Sequence, residues 1–197
     1  MRTPLLLILL SILCMVAGAW TAYSDTLSDI PVPLSTVPQE PQEFATQYIR
    51  DYYESVCQPQ WEKCIPNVQK TTRWKRAPEL SRLIVEAAED AGIHFIDLLV
   101  IVQYEAGFRW NPGVGKTKNE IGLTQVHGLA RQGHDLSTPE GQLKAGATWY
   151  ASRLEKCDDD PLRAMQAYMS GRCNAAVRGA ARRMRDIRKL KKLFYGQ

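Results

Sequence analysis

The stretch "LLVIVQYEAGF", residues 98 to 108, sets Leu98, Ile101, Val102 and Glu105 at i, i+3, i+4 and i+7, the spacing of one helix face. That face is apolar except for its carboxylate. An unpaired charge is strongly disfavoured on a surface that meets a core, unless it is protonated or has a task. Three effects favour the protonated form of Glu105: apolar neighbours, the partial negative charge of a helix C-terminus, and shielding by Phe108 and Trp110. A carboxylic acid that keeps its proton near neutral pH suits proton donation to a leaving oxygen, as in cleavage of a glycosidic bond. The alternative is a partly exposed glutamate at a frayed helix end. On spacing alone the two stand level.

Other candidate sites fall away. "GVGKT" at residues 113 to 117 lacks the first glycine of a phosphate-binding loop, since Trp110 stands there, and no strand precedes it. His94, His127 and His134 match no ligand spacing, so each reads as a surface or packing residue. No metal and no cofactor is implied. Cys57, Cys64, Cys157 and Cys173 stand in C-x6-C and C-x15-C spacings that do not suit zinc, and no histidine stands beside them.

The elements that must position Glu105 read as helices. "EFATQYIRDYYESV" spaces Phe44, Tyr48, Tyr52 and Val56 four apart, an aromatic stripe of core type. "APELSRLIVEAAEDAG" opens with Pro78 in its first turn and stops at Gly92. The Glu105 helix is expected to enter through Asp97 as N-cap and to leave through Gly107. Residues 107 to 128 are Gly-rich and irregular, with room for a short hairpin, and such loops often carry function. Ser137 and Glu140 stand at capping-box spacing before a helix lined by Leu143, Ala147, Tyr150 and Leu154. "DDDPLRAMQAYMSG" forms the next helix, closed by Gly171. The last segment sets Val177, Ala181, Met184, Ile187, Leu190 and Phe194 on one face, with the basic residues opposite. The expected fold class is therefore all-α, or predominantly so.

A chain of 197 residues is long enough for one well-buried domain plus an appendage. Residues 1–19, with Arg2, a Leu/Ile-rich run and "AGA" ending at Ala19, read as an export signal. Cleavage is favoured; an uncleaved anchor with Trp20 and Tyr23 at the interface is the alternative. Residues 20–43 read as a Pro-rich tether, and 44–197 as the folded domain. In an exported chain four cysteines imply two disulfides, and the short-loop pairing Cys57 with Cys64 and Cys157 with Cys173 is the simplest of three connectivities. The net charge of +4 hides eight Arg and Lys within residues 178–197, opposed there by Asp186 alone. A basic amphipathic helix of this kind is either a solvated outer face or a surface for anionic lipid, lipopolysaccharide or wall polymer. Nucleic acid would attract it equally, but export argues against that partner.

"LSRLIVEAAEDAGIHFIDLLVIVQYEAGFRWNP", "EIGLTQV", "GQLKAGATWYASRL" and "AMQAYMSG" resemble, in order and spacing, the catalytic domain of the soluble lytic transglycosylase family, relatives of goose-type lysozyme. The resemblance covers roughly residues 76–175. It implies a lysozyme-like helical fold with a groove for a glycan strand, acting as a monomer in the periplasm or outside the cell. Glu105 matches the family's single catalytic acid/base. Phe108, Gly122, Leu123, Gln125 and Tyr168 match its substrate-side positions. Ala106, Thr124 and Met169 stand where the family has Ser, Met and Asn, and Ile187 stands about where many members place a Tyr. The implied activity is cleavage of the β-1,4 bond between N-acetylmuramic acid and N-acetylglucosamine, forming a 1,6-anhydro sugar. Glu120, fifteen residues on, is the one nearby acid that could make the chain a hydrolysing muramidase, though its place beside Gly122 suggests a loop-stabilising role. A non-catalytic wall-binding or assembly protein is the third reading.

Overall fold

A computed structural model of the chain describes residues 40–55, 67–110, 120–127 and 133–196. The signal segment, most of the tether and the Cys57–Cys64 pair lie outside the described residues. Among the described residues, no helix is long and apolar enough to cross a membrane.

The fold is predominantly α-helical, as the periodicity requires. Helices α1 (Pro41–Ser55), α2 (Thr72–Lys75), α3 (Ala77–Asp90) and α4 (Phe95–Ala106) come first. A hairpin of β1 (Glu120–Ile121) and β2 (Val126–His127) follows, and α5 (Pro139–Lys156), α6 (Pro161–Ser170) and α7 (Ala180–Tyr195) complete the order. Helix α1 packs on α3, α3 on α4 and α5, α5 on α6, and α7 on both α4 and α6. The chain enters α1 at Pro41, inside the expected tether, because proline is tolerated in a first turn where its missing N–H has no helical partner.

Helix α4 is the centre of the core. Phe95 to Val102 are all buried, so this helix is enclosed on every side over two turns. Its start differs from the expected one. His94, not Asp97, is the N-cap, and its Nδ1 accepts the Ile96 N–H at 3.2 Å. Burial of Phe95 and Ile96 carries the helix a turn further back. Asp97 lies inside the first turn, almost fully buried, and meets Lys191 of α7 at 2.8 Å.

Other caps follow the local chemistry. Asp160 accepts from Leu162 N and Arg163 N ahead of Pro161, and the left-handed Gly107 and Gly171 close α4 and α6. Helix α5 is capped by Thr138, which accepts from Gly141 N, whereas Ser137 is bonded to Asp135. The expected Ser137 capping box is thus displaced by one residue. The Cys157–Cys173 disulfide, with Cα atoms 5.6 Å apart, ties the end of α5 to the segment after α6.

The stripe on α7 also needs correction. The helix begins at Ala180, so Val177 precedes it, Ala181 is exposed, and the buried face comprises Ala180, Arg183, Met184, Ile187 and Leu190. Arg183 therefore belongs to the inner face and not to the basic outer one.

His94 supplies a pH dependence. Its ring stacks on Phe95, and its second nitrogen meets the Tyr195 hydroxyl at 2.8 Å. With Nδ1 accepting from Ile96, the neutral ring donates from Nε2. Burial, then Lys191, holds its pKa below the ordinary 6.5. A depressed imidazole pKa means that the folded state prefers the neutral ring, so this contribution is present above about pH 6.5 and is lost as pH falls through the folded value. Denaturant titrations at pH 7.5 and pH 5 should show stability falling toward acid, and His94→Asn, which caps without titrating, should flatten part of that slope.

Candidate functional site

An open cavity of about 700 Å³ lies where α4, the hairpin, α5, α6 and α7 converge. Helix α4 contributes Glu105, the hairpin Glu120, Gln125, Val126 and His127, and α5 Trp149. Tyr168 to Gly171 line it from the end of α6, and Arg183 closes it from α7.

Glu105 stands one residue before the end of α4. Its surroundings differ from the apolar shield that its sequence neighbours suggest. Gly107 and Phe108 both take positive φ, which turns the chain away from the cavity. Phe108 is 1% exposed and lies edge-on to Tyr48 and Tyr52 of α1, while its carbonyl accepts the Tyr53 hydroxyl. It is a core residue and does not line the cavity. Trp110 lies beneath the Arg76 guanidinium, 4.5 Å from its ring centre, and is likewise absent from the cavity wall.

What Glu105 meets is Arg183. Nη1 donates to Oε1 at 2.5 Å, with the two side chains 10% and 21% exposed respectively. The guanidinium also lies 5.0 Å from the centre of the Tyr104 ring, and the Tyr104 hydroxyl donates to Asp186 at 2.6 Å. Burial first, then this bond to Asp186, pushes the Tyr104 hydroxyl well above its ordinary pKa, so it remains a donor. Arg183 was legible in principle. It stands four residues before Ile187 and seven before Leu190, on the apolar stripe, but the density of neighbouring basic residues masks that register.

The hairpin is seated by contacts that demand small or polar residues. Glu120 pairs with His127 and Ile121 with Val126. Between them Gly122 has φ +81°, and a Cβ there would come within 2.5 Å of the Gln142 side chain. Gln142 Oε1 accepts the Leu123 N–H at 3.0 Å, and its Nε2 donates to the Leu136 carbonyl at 2.9 Å. Thr124 is fully buried and donates its hydroxyl to the Gln142 carbonyl at 2.8 Å, a bond that the methionine of the resembled motif could not make. Gln125, also at positive φ, folds its amide onto the Gly122 carbonyl at 2.6 Å.

Tyr168 joins this turn to α6 by donating to the Thr124 carbonyl at 2.6 Å. Burial, and next the Glu105 carboxylate, pushes its hydroxyl far above the ordinary value, which fixes it as a donor. Of the residues singled out in the sequence, Glu105, Gln125 and Tyr168 thus meet in one cavity. Gly122 and Leu123 hold the turn from behind, and Phe108 lies in the core. Glu120, expected to brace the loop, lines the cavity with Glu105; His127, read from the sequence as a surface or packing residue, lines it too, as does Trp149, which the sequence did not single out. No family model, curated protein or solved structure matches the chain.

At Gly146 of α5 a Cβ would meet the Thr124 side chain at 2.4 Å, so the hairpin rests directly on the helix there. Thr124 is β-branched, buried and bonded, so it cannot yield easily. Gly146→Ala should therefore cost about 1–3 kcal/mol in denaturant unfolding. It should also weaken ligand binding in the cavity more than a distal variant of equal instability does, because the hairpin is what it displaces.

Proposed function

We propose that the chain is a peptidoglycan lytic transglycosylase that cleaves the bond between N-acetylmuramic acid and N-acetylglucosamine. The observation that carries this reading is the meeting of Glu105, Gln125 and Tyr168, residues of three separate motifs, on the wall of one open cavity. A glycan strand suits an open cleft with a few placed polar groups, and the cavity offers two carboxyl groups, a side-chain amide and an indole. In the proposed reaction Glu105 donates a proton to the glycosidic oxygen as positive charge develops on the sugar. It then takes the proton of the muramyl C6 hydroxyl, which attacks C1 and closes the 1,6-anhydro ring. One carboxyl group suffices for both steps.

Hydrolysis is the second reading, favoured by Glu120. Glycosidases that hydrolyse commonly set two carboxyl groups about the scissile bond, and Glu120 lines the same cavity as Glu105. In that case Glu120 would activate water. Mass analysis of the muropeptides released from purified sacculi separates the outcomes, since anhydro ends mark the transglycosylase, reducing ends mark hydrolysis, and no release marks a binding protein. Glu105→Gln should lower release by about a hundred- to ten-thousand-fold, as for loss of a general acid. Glu120→Gln should leave anhydro products unchanged. Full activity in Glu105→Gln would reject the assignment.

The exported, wall-associated setting of this reading also gives the outer face of α7 a role. Arg178, Arg185, Arg188 and Lys192 are exposed, the last three on one side of the helix, and take no part in the Arg183 and Lys191 ion pairs. We assign them attachment to an anionic surface, lipid or wall polymer. Each basic residue near such a surface contributes about 1 kcal/mol, screened within a Debye length. Changing these four to Gln should sharply weaken binding to anionic vesicles and sacculi at low salt while leaving unfolding nearly unchanged. Equal binding by variant and wild type would reduce the face to a solvated wall.

A further inference from the structure

We propose that Arg183 is the receptor for a carboxylate on the glycan, and that its change of partner on binding converts Glu105 from a paired carboxylate into the proton donor. The inference rests on Glu105 being the acid of the reaction. It starts from a mismatch between geometry and task. A carboxylate bonded to a guanidinium is an acceptor, and only the protonated group donates. The arrangement with Arg183 Nη1 on Glu105 Oε1 at 2.5 Å is therefore not the donating one.

The group that best displaces a carboxylate from a guanidinium is another carboxylate, because the planar fork matches it and the charges are alike. Arg183 is built to receive one. Its side chain is nine-tenths buried on the cavity wall and held against the Tyr104 ring, so little order remains to be lost on binding. Its Nε has no acceptor among the described residues. That Nε is sealed from the cavity, so an incoming carboxylate engages the guanidinium at Nη1, where Glu105 now sits.

The other groups around the pair leave the exchange to the ligand. On α7, Asp186 accepts the Tyr104 hydroxyl, and the Arg182 guanidinium lies 5.9 Å from the centre of the same ring. On α6, Tyr168 is committed to the Thr124 carbonyl. From the hairpin, Glu120 and His127 face the cavity, and neither is bonded to Arg183. When the ligand carboxylate takes Arg183, Glu105 takes one proton from solvent, so the charge around the guanidinium is unchanged by the exchange. Muramic acid carries a lactyl carboxyl on one sugar of the cleaved bond, and this group is anionic only where no peptide is attached. The favoured substrate is then a strand with free lactyl carboxylates.

The test compares peptide-free glycan strands with the same strands after conversion of their lactyl carboxyls to methylamides, using the full chain. Wild type should turn over the carboxylate strands with kcat/KM about ten- to a hundredfold higher. Arg183→Gln should erase that ratio, and Arg183→Lys should keep part of it. Calorimetry with the disaccharide GlcNAc–MurNAc, which lacks the cleaved bond, in buffers of different ionisation enthalpy should show uptake of about one proton by wild type, and none with its methylamide or with Glu105→Gln. Equal kcat/KM on the two strands, an unchanged ratio in Arg183→Gln, or binding of the disaccharide without proton uptake would overturn the inference. The calorimetry decides even where Arg183→Gln fails to fold. Wild-type turnover by Glu105→Gln would remove the proposed function and this inference together, whereas an inactive Glu105→Gln beside an Arg183→Gln that keeps the ratio would remove this inference alone.

Discussion

The pairing of two acids on the buried helix α4 with two bases on α7 governs the arrangement of the molecule. Asp97 and Glu105 lie eight residues apart on α4, and their partners Lys191 and Arg183 lie eight apart on α7 in the reverse order. Two turns of helix separate the members of each set, so the contacts fix an antiparallel register at both ends of the helix pair. Between them Tyr104 bonds to Asp186, and beyond the Asp97 end the rings of His94, Phe95, Phe194 and Tyr195 pack edge to face or stacked. Asp97 is too buried to stand alone, and removing Lys191 would leave a largely desolvated charge, a loss commonly of about 3–5 kcal/mol, whereas Glu105 keeps one side on the open cavity. Helix α7 is thus a structural member of the core before it is anything else.

The cavity follows from that register. With α7 pinned along α4, Arg183 reaches the last turn of α4, and α6 is wedged between α7 and α5. The remaining wall is the hairpin, which has only two residues in each strand and cannot hold itself in place. It is held instead by Gln142, by the missing side chain of Gly146 and by the Tyr168 hydroxyl. Backbone approach and buried hydrogen bonds, not strand pairing, aim Gln125 and Glu120 into the cavity.

The two faces of α7 show how one composition serves two ends. Its inner bases meet acids from which water is largely excluded, where charge pairing is specific and geometry decides the energy. Its outer bases stand in water, where each counts for little singly and only the collective field acts at a distance. Treating the segment as one basic patch conflates the two.

The sequence by itself determined the six longer helices among the described residues and several of their ends, but not the four-residue α2. Apolar spacing of 3.6 residues, Pro78 and Pro161 in first turns, and Gly107 and Gly171 beyond last turns are local signals, because caps and periodicity depend on residues within one or two turns. It also singled out Glu105, since a carboxylate on an apolar stripe is anomalous wherever it occurs. Pairing of Cys157 with Cys173 was legible for the same reason of short separation. Tertiary structure alone decided that Arg183 faces Glu105 across 78 residues, that Phe108 turns into the core beside Tyr48 and Tyr52, and that Glu120 enters the cavity. Those outcomes depend on which faces meet when α7 docks on α4 and the hairpin on α5. Contacts between distant segments leave no periodic trace in either one, and a lone arginine on an inner stripe reads as one more basic residue until its partner is in place.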